Sequence, residues 1–278
     1  MRELCPEFGA TAVCRVFGIA RSTASYRSVR SPKSNISALK RRIPKMLETF
    51  VNYGVKRMFK EVLRSGDTVK RSEVHRAYVE LKLLGKPAKR RVRTTDSEHG
   101  FRRWPDLMKG LEVSVPDQVW VADVTGVHMG EKWAYLALVM DVFTRTIVGF
   151  GMSRSNDTAL TLSALQMGFS LGRSPEMHHS DQGSNYASDP YIEALTGRSI
   201  DVSMAKAGCP EDNGYAERLN RTLKEENVRI EDYKNLTQAN QGISNFIHYY
   251  NNNRIHTSID YITPTEAFQL YWSQYQPQ

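Results

Sequence analysis

Cysteine is scarce in this chain: Cys5, Cys14 and Cys209 are the whole complement, odd in number and without a CxxC pair. That pattern excludes a disulfide-stapled scaffold, disfavours a zinc site built on thiolates and suits a reducing compartment, so all three read as ordinary thiols. Long apolar runs are missing as well. No stretch approaches the roughly 18 to 20 residues that span a bilayer, and the mean hydropathy is −0.49. Met1 to Ala10 mixes Arg2 with Glu3, Pro6 and Glu7 and has no apolar h-region. No secretory signal is visible, and a cytoplasmic protein without a membrane partner is expected.

What is present is enough for folded domains. The 278 residues are 40% hydrophobic and 10% aromatic, sufficient for at least one full core and, by size, roughly two domains. The net charge of +8 is unevenly spread. Residues 1 to 103 hold 25 Lys and Arg against 9 Asp and Glu, whereas the remainder holds 13 against 21. A basic first part joined to an acidic second part suggests a region that grips nucleic acid attached to one whose acids bind metal.

The first 30 residues read as a helix-turn-helix segment, two short helices about Gly18 with Val13, Val16 and Phe17 before it and Ile19 after it. The second helix would present Arg21, Ser22, Thr23 and Arg27 to phosphates and base edges. A linker precedes a helical DNA-binding domain over 36–85, where Leu39, Ile43, Met46, Leu47 and Phe50 recur at helical spacing. A basic linker over 86–116 follows, and its Lys89, Arg90, Arg91 and Arg93 should grip phosphates without sequence preference. From 117 to 278 the pattern changes. Three apolar runs, Val119 to Thr125, Trp133 to Met140 and Thr146 to Met152, predict an antiparallel meander. Asp157 should cap an amphipathic helix, a strand near Met177 to Ser180 should end at Asp181, and Tyr191 to Leu195 reads as helix before a strand at Ile200 to Met204. A last helix over Glu211 to Asn227 carries Glu217. This order predicts an α/β, RNase H-like fold, a mixed five-stranded sheet with flanking helices preceded by an all-α helix-turn-helix region, with Trp120 and Trp133 in its core.

Three acids stand out in that scheme. Asp123 interrupts an apolar strand, where a charge is costly unless paired; Asp181 ends the strand expected beside it; Glu217 projects from a helix that would cross both. Clustered carboxylate oxygens suit Mg²⁺ or Mn²⁺, and two such ions serve an in-line phosphoryl displacement. The surrounding motifs, Val119-Trp120-Val121-Ala122-Asp123-Val124-Thr125, His179-Ser180-Asp181-Gln182-Gly183-Ser184-Asn185-Tyr186 and Cys209-Pro210-Glu211-Asp212-Asn213-Gly214-Tyr215-Ala216-Glu217, resemble those of the insertion sequence 3 family of transposases, relatives of retroviral integrase. Thirty-five residues separate Asp181 from Glu217, Lys224 follows seven after Glu217, and Tyr250-Asn251-Asn252-Asn253-Arg254-Ile255-His256 with Thr263-Pro264 matches the family's tail. The likeness runs over essentially the whole chain.

The resemblance implies a metal-dependent transposase with Asp123, Asp181 and Glu217 as catalytic and metal-binding residues and two ions per site. It implies 3′-end cleavage, strand transfer by the freed 3′-OH, and a circular intermediate formed when one element end attacks beside the other. Partners would be the element's terminal inverted repeats and target DNA, bound by a homo-oligomer, with an upstream reading-frame product as a further candidate. Lys224 would reach DNA on the face of Glu217. His179 would orient Asp181, touch a phosphate or make a structural hydrogen bond; Gly183 would permit a tight turn; Asn213 would order the loop before the helix; Arg254 and His256 would brace the catalytic helix or contact DNA. The zinc module of retroviral integrases has no counterpart in the spacing around His75, His99, Cys5 or Cys14. A non-catalytic DNA-binding regulator and a structure-specific nuclease on the same fold are the rival readings.

Overall fold

The computed structural model describes residues 9–20, 36–85, 102–130, 132–206 and 209–274. Helix α1 (Ala10–Val16) ends where Gly18 takes φ 62°, its N–H and that of Ile19 returning to the carbonyls of Arg15 and Cys14. The left-handed residue there is a glycine, which meets no Cβ penalty in that conformation. Helices α2 (Ile36–Thr49), α3 (Val55–Arg64) and α4 (Arg71–Glu80) then form a small unit. Leu39 and Ile43 of α2, Met58 and Val62 of α3, and Val74 and Tyr78 of α4 sit at i, i+4 spacing and meet in one buried cluster. Ile255, from far along the chain, joins that cluster.

The sheet comprises β1 (Val119–Met129), β2 (Lys132–Asp141), β3 (Ile147–Ser153), β4 (Met177–Ser180) and β5 (Asp201–Met204), in the order β3-β2-β1-β4-β5. The first three are antiparallel neighbours, and β4 and β5 are added in parallel. Central β1 is covered on both sides. Val119, Val121 and Val127 face one apolar cluster with Leu219, Leu223, Ile243 and Phe246, while Trp120 and Ala122 face another with Leu160, Ala164 and Leu165. A strand buried on both faces reads as a continuous apolar run, which is why an internal aspartate is conspicuous in it.

Helix α5 (Thr158–Ser170) begins at Asp157, whose carboxylate accepts from Leu160 N at 3.0 Å, as expected of a cap. It lies so close to the sheet that a Cβ on Gly149 would stand 2.0 Å from the Ala164 carbonyl oxygen. After β4 come α6 (Ser184–Ala187) and α7 (Asp189–Thr196), and after β5 the segment that carries Glu217. Where one helix over 211–227 was expected, a 3-10 turn (Pro210–Asn213), helix α8 (Gly214–Leu223) and a π turn (Lys224–Val228) follow one another. Helices α9 (Leu236–Asn252) and α10 (Pro264–Gln274) complete the described chain.

Two further expectations are corrected. Strand β1 runs four residues beyond Thr125, to Met129. Trp120 is fully buried, but Trp133 is 59% exposed, lying over Gly126 and edge-on to His128 near the tip of the β1–β2 hairpin. Helix α5 packs on β3 and β2, whereas Trp133 rests on Gly126 and His128. Residues 102–118 also lie on the sheet unit: Leu111 and Val113 pack against its core, and Leu107 N donates to Ser203 Oγ at 2.9 Å.

Candidate active site

The parallel pairing of β1 with β4 sets Val121 opposite His179, and the same register brings Asp123 level with Asp181 just past the end of β4. Asp123 Oδ1 accepts from Val124 N at 2.8 Å, and its Oδ2 accepts from Asn220 Nδ2 at 2.7 Å. Burial holds the Asp123 carboxyl up to about pKa 7, the charge of Asp181 adds to this, and that of Glu217 contributes after the hydrogen bonds are counted. Asp181 Oδ1 accepts from Gly183 N at 3.0 Å. Glu217 sits in the first turn of α8, exposed, on the rim of a groove of about 990 Å³.

Among the described residues no three His, Cys, Asp or Glu side chains stand close enough together to enclose a metal ion. The donor set nevertheless fits a hard divalent cation. Asp123, Asp181 and Glu217 supply oxygens, Asn220 Oδ1 is buried without a hydrogen-bond partner beside Asp123, and a carboxyl that resists ionisation until near neutrality is one whose charge a cation would compensate.

The supporting residues take definite places. His179 is buried between β5 and the loop before α8, with Nε2 3.1 Å from the Asp212 carbonyl and Nδ1 2.8 Å from Ser203 Oγ. A carbonyl only accepts, so Nε2 carries the proton and Nδ1 accepts from the serine; burial lowers the pKa and keeps the ring neutral. That geometry is a structural tie and leaves no nitrogen for a phosphate. Asn213 Nδ2 donates to the Ala122 carbonyl at 3.0 Å, joining the start of α8 to the residue before Asp123. Gly183 has φ −66°, open to any residue, so the expected conformational reason for glycine does not apply. What it provides is room: a Cβ would stand 3.0 Å from Asp181 Oδ1. Arg254 makes a two-pronged pair with buried Glu226 at 2.6 and 2.8 Å, and neutral His256, pushed down to about pKa 2 by burial and then by Arg254, lies against that guanidinium. Lys224 opens the π turn, half-buried.

Arg21, Ser22, Thr23, Arg27, Lys89, Arg90, Arg91 and Arg93 lie outside the described residues. Sequence reasoning missed Asn220, although a polar residue on the buried face that Ala216, Leu219 and Leu223 define was the available signal. It also missed Arg218 and Arg221, exposed on α8 and lining the groove beside Glu217.

The mixed sheet of this order, with two acids at adjoining parallel strands and a third on a crossing helix, lies in the part of the chain that matches integrase core families, which marks a polynucleotidyl-transferase-type enzyme. The integrase core domain family matches residues 114–210, and a second integrase core domain family matches 198–264. The chain is 30% identical to the transposase for insertion sequence element IS629 of Shigella sonnei, covering 98% of this chain and 95% of that protein. It is 32% identical to the 31 kDa protein of insertion element IS600 of Shigella sonnei, over 93% of this chain and 98% of that one. In fold it is similar to a chain of the simian T-cell lymphotropic virus intasome in complex with PP2A regulatory subunit B56 gamma, with a TM-score of 0.52 and 19% identity, covering 84% of this chain and 75% of that one. The protein belongs to the transposases of the insertion sequence 3 family. Among the described residues no helix is long and apolar enough to cross a membrane.

Proposed function

We propose that the protein cleaves a 3′ strand at the ends of its element and joins the freed 3′-OH to target DNA, with Asp123, Asp181 and Glu217 holding two Mg²⁺ or Mn²⁺ ions. The observation that carries this reading is the pinned Asp123, set level with Asp181 on a parallel neighbour and raised to about pKa 7 by burial and its acidic neighbours. Bound cations would supply the charge that activates an attacking oxygen and stabilises the leaving one. The chain's own residues position. Asn220 fixes one oxygen of Asp123, the Gly183 N–H fixes one of Asp181, and Asn213 holds the base of α8 against β1. In the first step a water oxygen bonds to phosphorus and the bond to the 3′ oxygen breaks; in the second that 3′ oxygen attacks a target phosphorus and displaces the target's own 3′ oxygen. Arg218, Arg221 and Lys224, on the helix that carries Glu217, would meet DNA phosphates during both. The basic first hundred residues would read and hold the terminal repeats, and 117–278 would do the chemistry, as a homo-oligomer on DNA.

The test is incubation of the purified chain with labelled end-containing DNA and Mg²⁺. Nicked and joined products are expected from the wild type, and neither from Asp123→Asn, Asp181→Asn or Glu217→Gln, all of which should still retard the DNA. Undiminished joining by any of the three refutes the assignment. Retardation without nicking would identify a regulator, and nicking without joining a nuclease.

A further inference from the structure

The π turn Lys224–Val228 interrupts the helix that bears Glu217, two turns beyond that residue. A wide turn is rarer than α-helix and is found preferentially at functional sites, so its persistence here calls for outside support. The helical unit 36–85 provides it. Asn52, in the bend between α2 and α3, holds a left-handed backbone (φ 59°) and donates from Nδ2 to the Glu225 carbonyl at 2.8 Å. Arg57, at the start of α3, donates to Glu226 Oε1 at 3.3 Å and to the Asn52 carbonyl at 3.0 Å, so one side chain ties the bend to the turn. Glu226 is nearly buried and is held from its other side by Arg254. Next to Arg254, Ile255 N donates to Tyr53 Oη at 2.9 Å.

We infer that the helical unit 36–85 is a clamp that sets the register of the catalytic helix's last turn, with Asn52 its positioning residue. Lys224 is the first residue of that turn. The path of its side chain relative to Glu217 therefore depends on whether the segment closes as a π turn or relaxes to α. Any DNA-induced movement of the helical unit would reach the turn through the Glu225 carbonyl and the Glu226 carboxylate. The unit is thus a mechanical part of the active site as well as a candidate DNA-gripping module, and this inference rests on the transposase reading for its catalytic consequence.

Asn52→Gly tests it with little collateral damage, since glycine takes φ near 59° without strain and only the amide side chain is removed. Arg64→Ala is the control. It removes a second bond between the same unit and the core, Arg64 Nη2 to Glu266 Oε1 at 2.7 Å, without touching the π turn. Hydrogen exchange in the full chain should show the amides of 224–228 opening about fivefold more readily in Asn52→Gly, the effect of removing one hydrogen bond, with β1 amides and the Arg64→Ala protein unchanged there. Single-turnover joining at saturating end DNA should slow by a similar factor in Asn52→Gly while its DNA affinity stays at the wild-type value. Unchanged exchange over 224–228 in Asn52→Gly, an equal change in Arg64→Ala, or faster exchange with full joining rate would each overturn the inference. A wild-type chain that joins no DNA would instead defeat the transposase reading, and the exchange comparison would still decide whether the unit sets the turn.

Discussion

Asp123→Asn should remove catalysis and, in metal-free buffer at pH 8, make the protein harder to unfold. The Asp123 carboxyl is raised from 3.8 to about 7 in the fold, chiefly by burial and then by Asp181. A group whose folded pKa lies above its unfolded value costs the native state stability from the unfolded value upward, and the cost is complete once the pH passes the folded value. Three pKa units at about 1.4 kcal/mol each set an upper bound of about 4 kcal/mol at pH 8. The neutral amide avoids that penalty and keeps an oxygen for the Val124 N–H. Asn220, whose Oδ1 has no partner, can turn its amide to accept from the introduced NH₂. Allowing half the bound for imperfect pairing leaves about 2 kcal/mol, or roughly 4 to 8 °C in Tm for a protein of this size. The gain should be complete above about pH 7, shrink as the pH falls through 7, and vanish below about 4. Thermal melts in EDTA from pH 4 to 8.5 measure it, and added Mg²⁺ should raise the wild-type Tm and leave the variant's nearly unmoved. A variant less stable than wild type at pH 8, or a difference independent of pH, would refute the reasoning.

Gly183→Ala should slow joining more than tenfold with little change in Tm, because the new methyl would press on Asp181 Oδ1 at 3.0 Å while the backbone accepts any residue; wild-type rates would show that the carboxylate yields without cost. Arg218→Ala with Arg221→Ala should weaken binding of all DNA sequences alike and flatten the salt dependence by about one unit of log–log slope for each phosphate no longer neutralised, as read by retardation across a salt series. Asn213→Ala should cost about 1 to 3 kcal/mol in denaturant melts, since it strips the Ala122 carbonyl of a buried donor; an unchanged midpoint would mean that another donor replaces it.

Asp123 could be found in the sequence because it stands in a strand apolar on both faces, and the succession of strands and helices along the chain followed from its apolar runs and capping residues. Other features depend on contacts made only in the fold. Trp133 has the hydrophobicity of a core residue, yet near the hairpin tip it packs on Gly126 and His128 and stays exposed. Asn220 is one polar residue among several in α8 until Asp123 is seen 2.7 Å away. The π turn leaves no periodicity signal in five residues. Its supports, Asn52 and Arg57, lie more than 160 positions earlier, so local pattern carries no trace of them. Gly183 is recognisable from its motif as a special position, but sequence suggests conformation where the physical reason is space.

The order in which the parts of the site occur along the chain governs how it comes into being during synthesis. Polypeptides fold from the N-terminus as they emerge, so the basic first hundred residues and the sheet carrying Asp123 and Asp181 appear before α8. Helix α8 then has to wait: the apolar wall it shares with Ile243 and Phe246, and the Arg254 that grips Glu226, are made later still. A ribosome stalled between Glu217 and Arg254 would hold a chain that contains all three acids yet has no braced helix to present the third. Glu217 is therefore presented on a braced helix only once the chain has been made past Arg254, well after Asp123 and Asp181 have taken their places in the sheet.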